Sequence, residues 1–187
     1  MKRRDINFKK GFTLIEVLVA LSLFSFIIFI STGSIFTVFD ANRKSTNLRS
    51  VMDNLDLTLE SITRTIRFGT NYHCDILALP ITAVRDCPSG ASSISVLDYL
   101  GRQVTYKLVG NRIARSIDGS PDLFVTSSDV IVQHLAFRVY GSAPYSSGDL
   151  LQPQVIIVVS GYTGVKQTSK SSFTLQTTVS QRIFDSQ

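Results

Sequence analysis

The chain has 187 residues, 44% of them hydrophobic, with two cysteines, no tryptophan and a net charge of +5 at pH 7. That length and apolar content exclude a chain disordered throughout, and they suit one domain plus an appendage. The basic balance does not indicate nucleic acid, because four of the five net charges belong to residues 1–11, where Lys2, Arg3, Arg4, Lys9 and Lys10 face only Asp5.

Residues 1–11, MKRRDINFKKG, read as a short basic leader beside a membrane segment, where positive charge marks the cytoplasmic side. From Phe12 to Phe39 the chain is apolar, with Glu16 as the one charged side chain. A membrane-spanning helix needs roughly 20 residues, so this stretch is long enough to cross a bilayer. A secretory signal peptide would have a shorter apolar region, of about 7–15 residues, closed by a small-residue cleavage site. Here Ser31-Thr32-Gly33 is a poor one, so the apolar segment is expected to be retained.

After Asp40, Leu48, Val51, Met52, Leu55, Leu59, Ile62 and Ile66 recur at spacings of three and four, which defines one apolar helix face. No proline occurs between residues 1 and 79, so one long helix is permitted, apolar in its first half and amphipathic over residues 40–69. Gly33 is its softest point, since glycine in a helix interior costs about 1 kcal/mol relative to alanine. Arg64 and Arg67 suit a helix C-terminus, and Gly69 is placed to cap it.

Residues 70–187 read as a β-rich globular domain. Asn71–Ala91, with both cysteines, Pro80 and Pro88, is expected to be an irregular loop. Ser93–Leu97, Gln103–Val109, Arg112–Ser116, Val130–Val132, His134–Tyr140, Gln154–Tyr162 and Ser172–Ile183 read as strands. Gly110-Asn111 signals a tight hairpin, and Gly141–Pro153 and Thr163–Ser171 read as loops. Short turns between successive strands argue for an antiparallel meander. The fold class is therefore α+β: a long N-terminal α-helix packed by its amphipathic second half on an antiparallel β-sheet.

Cys74 and Cys87 have twelve residues between them. If this part lies outside the cytoplasm a disulfide is the expected state, and two unrelated thiols are the alternative. A lone pair at this spacing is a poor zinc site, and no metal or cofactor is expected. His73 and His134 lack metal-spacing partners, and no Gly-x-Ser-x-Gly, HExxH or phosphate-binding loop occurs, so no enzyme is indicated.

Lys9-Lys10-Gly11-Phe12-Thr13-Leu14-Ile15-Glu16-Val17, followed by the apolar helix, resembles the class III signal of type IV prepilins and pseudopilins. The resemblance implies cleavage between Gly11 and Phe12 by a prepilin peptidase, and methylation of the new amino group of Phe12. It also implies that Glu16 pairs with the Phe12 amino group of a neighbouring subunit during assembly. A carboxylate in a membrane helix costs roughly 2.5–3.5 kcal/mol on insertion scales, so such a residue needs a reason to be there. The local alternative is a helix capping box, Thr13-x-x-Glu16. Arg43–Arg67 resembles the amphipathic half-helix of larger minor pilins and of J-type pseudopilins, and FTLQTTVSQR (Phe173–Arg182) resembles their final strand. The implied protein is a minor pilin or pseudopilin of a type IV pilus or type II secretion pseudopilus. Its implied partners are prepilin peptidase, other pilin or pseudopilin subunits, an inner-membrane assembly platform and membrane lipid. The implied location is the inner membrane in a single pass, with the domain outside the cytoplasm, and then an extracytoplasmic filament. The competing reading is an uncut, single-pass, membrane-anchored binding module.

Overall fold

A computed structural model describes residues 11–75, 80–163 and 170–182, with the side chain of residue 47 excepted. Residues 1–10 of the leader, the middle of the Thr163–Ser171 loop and Ile183 lie outside the described residues.

Without proline to interrupt it, the chain forms one α-helix, α1, from Leu14 to Phe68. The chain divides into two compact units between Arg43 and Lys44. In the first, every described residue of α1 is exposed, including Phe24, Phe29 and Phe36.

In the second unit the amphipathic part of α1 packs with eight strands, all of which but the exposed β5 contribute to one core. The strands are β1 (Thr70–Cys74), β2 (Ser93–Leu97), β3 (Gln103–Val109), β4 (Arg112–Ile117), β5 (Leu123–Phe124), β6 (Val130–Tyr140), β7 (Gln154–Thr163) and β8 (Ser171–Ser180). All neighbours pair antiparallel. They form not one sheet but two: β1-β2-β3-β4-β5, and β6-β7-β8. Val51, Leu55, Ile62 and Ile66 of the helix pack in the same core as Ile94, Val96, Tyr106 and Ile113 of the first sheet and Phe137, Ile157 and Val179 of the second.

The helix face is centred on Val51, Leu55, Thr58, Ile62 and Ile66, with Met52 and Leu59 half-buried at its flank. Thr58 is polar but occupies the position between Leu55 and Ile62 at helical spacing. Its hydroxyl donates to the Asn54 carbonyl at 2.8 Å and lies 2.9 Å from the Val125 carbonyl, which offsets its burial.

Three sequence expectations need correction. The start of the supposed Asn71–Ala91 loop is strand β1, which carries His73 and Cys74. Its alternation is hidden because three consecutive residues are buried. Val130–Val132 and His134–Tyr140 are one strand, β6, with a bulge between Val132 and His134 rather than a break. Gly69 follows the helix but does not cap it in a left-handed conformation, since its φ is not among the positive ones. Instead, a Cβ there would collide with Val96 Cγ2 and lie 2.7 Å from the Leu97 carbonyl oxygen. Glycine is required because a strand passes directly over the helix end. The carbonyls at that end find other donors: the Tyr72 hydroxyl donates to the Ile66 carbonyl at 2.7 Å and lies 3.0 Å from that of Gly69, and the Arg182 amide donates to Arg67. The hairpin at Gly110-Asn111 does use backbone freedom: Gly110 has φ 59° at the first turn position, as a II′ turn requires.

Candidate processing and assembly site

Gly11, Phe12 and Thr13 precede the helix as exposed chain outside any regular element. Among the described residues nothing lies within 4 Å of where a Gly11 side chain would be. Phe12 is 82% exposed. Thr13 is the helix N-cap, and its hydroxyl accepts the Glu16 amide at 3.3 Å. The Glu16 carboxylate reaches back to the Thr13 amide and hydroxyl, each at 3.5 Å. The reciprocal arrangement is a capping box, and it sets an acid beside the positive end of the helix dipole. These contacts are long and solvent-exposed, and among the described residues no cation pairs with Glu16. The capping role therefore coexists with a carboxylate free to take a stronger partner.

The helix holds a window with a mean hydropathy of 2.5, none of it buried by this chain. Several of its hydroxyl side chains turn inward on their own helix. Ser22, Ser25 and Thr32 each donate to a carbonyl of the preceding turn at 2.8 Å, and Thr37 does so at 3.1 Å. A hydroxyl satisfied in this way needs nothing from its surroundings, which suits lipid or an apolar helix bundle. An all-round apolar helix left in water would be a large exposed patch, so something outside the chain must cover it.

In the second unit, Cys74 and Cys87 are joined by a disulfide with their Cα atoms 5.9 Å apart. No thiol is therefore available beside His73. That histidine is buried on β1, its Nδ1 2.8 Å from the Ala83 carbonyl. Among the described residues no group of three or more His, Cys, Asp or Glu side chains is arranged to hold a metal. Sequence reasoning overlooked Asp86. Its carboxylate accepts the Gly141 amide at 3.0 Å and the Ser142 amide at 2.9 Å, tying the disulfide loop to the Gly141–Pro153 loop. No spacing rule could have joined residues so far apart in sequence. Asp98 likewise organises the β2–β3 turn. It accepts the Leu100 and Arg102 amides at 2.9 Å and binds the Arg102 guanidinium at 2.7 and 2.9 Å. Burial works against the Asp98 charge, but the side-chain and backbone hydrogen bonds from Arg102 and Leu100 outweigh it and hold the carboxyl below its usual range.

Against known families, residues 6–32 match the prokaryotic N-terminal methylation motif. This is the type IV prepilin-like signature. The signature covers the end of the leader, Gly11, Phe12, the Thr13–Glu16 cap and the apolar helix as far as Thr32. A signature of this kind marks type IV pilin-like prepilins, whose family is structural. It also implies processing by prepilin peptidase and assembly with other pilins. The methylation motif and apolar helix together fit membrane anchoring. No curated protein and no solved structure matches the chain.

Proposed function

We propose that the chain is a minor pilin or pseudopilin, a structural subunit of a type IV pilus or type II secretion pseudopilus. The observation that carries this reading is the methylation motif, set at the head of a helix whose apolar half is wholly unburied. On this reading prepilin peptidase cuts between Gly11 and Phe12, where the backbone is exposed and unobstructed. The new Phe12 amino group is methylated. The leader lysines and arginines hold residues 1–11 on the cytoplasmic side, and the β domain lies outside the cytoplasm.

Assembly then moves the helix from lipid into a bundle of like helices, so its apolar surface stays out of water throughout. Glu16 supplies register. A carboxylate in an apolar surrounding is strongly disfavoured unless paired, and the Phe12 amino group of a neighbouring subunit is the cation within the same motif. The weak cap to Thr13 keeps Glu16 tolerable until that partner arrives. The disulfide stiffens the exported domain, and the inner-membrane platform is the machinery on which the subunit is stacked.

The test is incorporation into filaments sheared from cells that carry the assembly system. Wild-type chain should appear in the filament fraction. Glu16→Val should be processed but remain in the membrane. Wild-type chain found only in the membrane and uncut, beside a control pilin that is cut and assembled, would leave the uncut membrane-anchored module as the better reading.

A further inference from the structure

The two sheets have four edge strands, and the chain deals with three of them. Strand β5 is only two residues long. Strand β1 is short, its register shifts between Thr70 and His73, and its outer side is bonded by Arg85, which donates to Tyr72 and accepts from Cys74 at 3.0 Å. Strand β6 has a bulge, and its outer side is bonded at Val132 by Asn111, at Phe137 by Ala91 and at Val139 by Cys87. These are the usual ways in which a soluble protein prevents its edges from recruiting another strand.

Strand β8 has none of them. It pairs with β7 over all ten residues without a register shift, and it contains no charge, proline or glycine. Among the described residues no backbone bond beyond those to β7 involves Ser171–Ser180; the next begin at Gln181 and Arg182. The nearest lysine, Lys170, lies over the Tyr162 ring, 4.5 Å from its centroid. Ser172, Thr174, Gln176, Thr178 and Ser180 form an exposed row on the solvent face. On the other face Leu175 packs at the rim of the core while still half-exposed. A row of unpaired amides and carbonyls is a template for an extended strand, and a further strand would also complete the cover of Leu175.

We propose that β8 pairs edge to edge, antiparallel, with β8 of a second copy of this chain. The sequence of the strand is compatible with itself. In a twofold antiparallel pair, residues i and j lie opposite one another on the same face only when i and j are both odd or both even. Every such register sets the hydroxyl-rich row against itself and the Phe173, Leu175, Val179 row against itself. With Gln176 opposite Gln176, Thr174 meets Thr178 and Phe173 meets Val179. Both are favourable cross-strand pairs, and no like charges meet. The two three-stranded sheets become one of six strands. This contact lies in the β domain and does not depend on Glu16 or the methylated terminus.

The experiment is hydrogen exchange by mass spectrometry on the full chain in detergent, across a range of protein concentrations. The β8 amides should be more protected at high concentration. The double substitution Thr174→Lys/Thr178→Lys should abolish that concentration dependence, because it sets lysines along the shared edge. Mixing it with Thr174→Glu/Thr178→Glu should restore the protection. Thr174, Gln176 and Thr178 are all exposed, so the tertiary near-ultraviolet signal should be retained, and Gln176→Lys serves as a second, single-site block. Exchange in β8 that ignores both concentration and the lysines would overturn the proposal. So would β8 protection that is independent of concentration and lost when the residues after Arg182 are removed, because the occupant would then be the chain's own tail.

Discussion

Replacing Gly69 separates two explanations for a glycine at a helix end. If Gly69 adopted a left-handed cap, alanine there would cost about 1–2 kcal/mol and asparagine, which tolerates that conformation, less. The structure gives a different reason. A Cβ would overlap Val96 Cγ2 and sit 2.7 Å from the Leu97 carbonyl oxygen and 2.8 Å from that of Thr65. Two of these three neighbours are backbone, of β2 and of α1 itself, so neither can swing aside. Overpacking of this kind typically costs 1–3 kcal/mol, and rigid neighbours argue for about 3 kcal/mol. In a domain of this size about 3 °C of melting temperature is lost per kcal/mol, so Gly69→Ala should melt roughly 9 °C lower. Gly69→Asn, with more atoms to place, should be no better than alanine. All six tyrosines lie beyond Lys44, so thermal unfolding followed in the tyrosine band of the near-ultraviolet circular dichroism reports on this unit. An asparagine variant clearly more stable than the alanine variant would refute the close-approach argument, as would an alanine variant that melts with the wild type.

Two other perturbations test the same unit. The double variant Cys74→Ser/Cys87→Ser should lose about 3 kcal/mol of stability, the chain-entropy value for a loop of this length, and the wild type under reducing conditions should match it in chemical denaturation. The Asp98 carboxyl is held below its usual range by its hydrogen bonds, so its contribution is present above the unfolded value of about 3.9 and is lost as pH falls through the lower folded value. Asp98→Asn should therefore lower the melting temperature at neutral pH and flatten its decline below about pH 4. An unchanged acid limb would remove Asp98 from the account.

The parts legible in the sequence were those governed by local pattern. The apolar run from Phe12, the spacing of Val51, Leu55, Ile62 and Ile66, and the alternation in Gln103–Val109 each name an element from within its own residues. The Thr13–Glu16 cap belongs with them, because both partners lie within one helical turn. What was not legible depended on contacts distant in sequence. Strand β1 exists because Thr70–Cys74 pairs with β2 across the long disulfide loop, and three adjacent burials erase the alternation that would announce it. The division into two sheets follows from which strand lies beside which, and alternating residues specify only that some face is buried. Gly69 was legible as a glycine at a helix end but not for its reason, which is set by Val96 and Leu97. Asp86 escaped for the same cause, since its partners are the amides of Gly141 and Ser142.

The peptide bond between Gly11 and Phe12 is where processing is read out. The full chain is expressed with and without an active prepilin peptidase, extracted from membranes, and its intact mass and N-terminal residue are determined. With the peptidase present the product should begin at Phe12 carrying a methylated amino group, and without it the chain should keep its leader. A chain that still carries the leader beside a control prepilin cut in the same cells would rule out processing at Gly11.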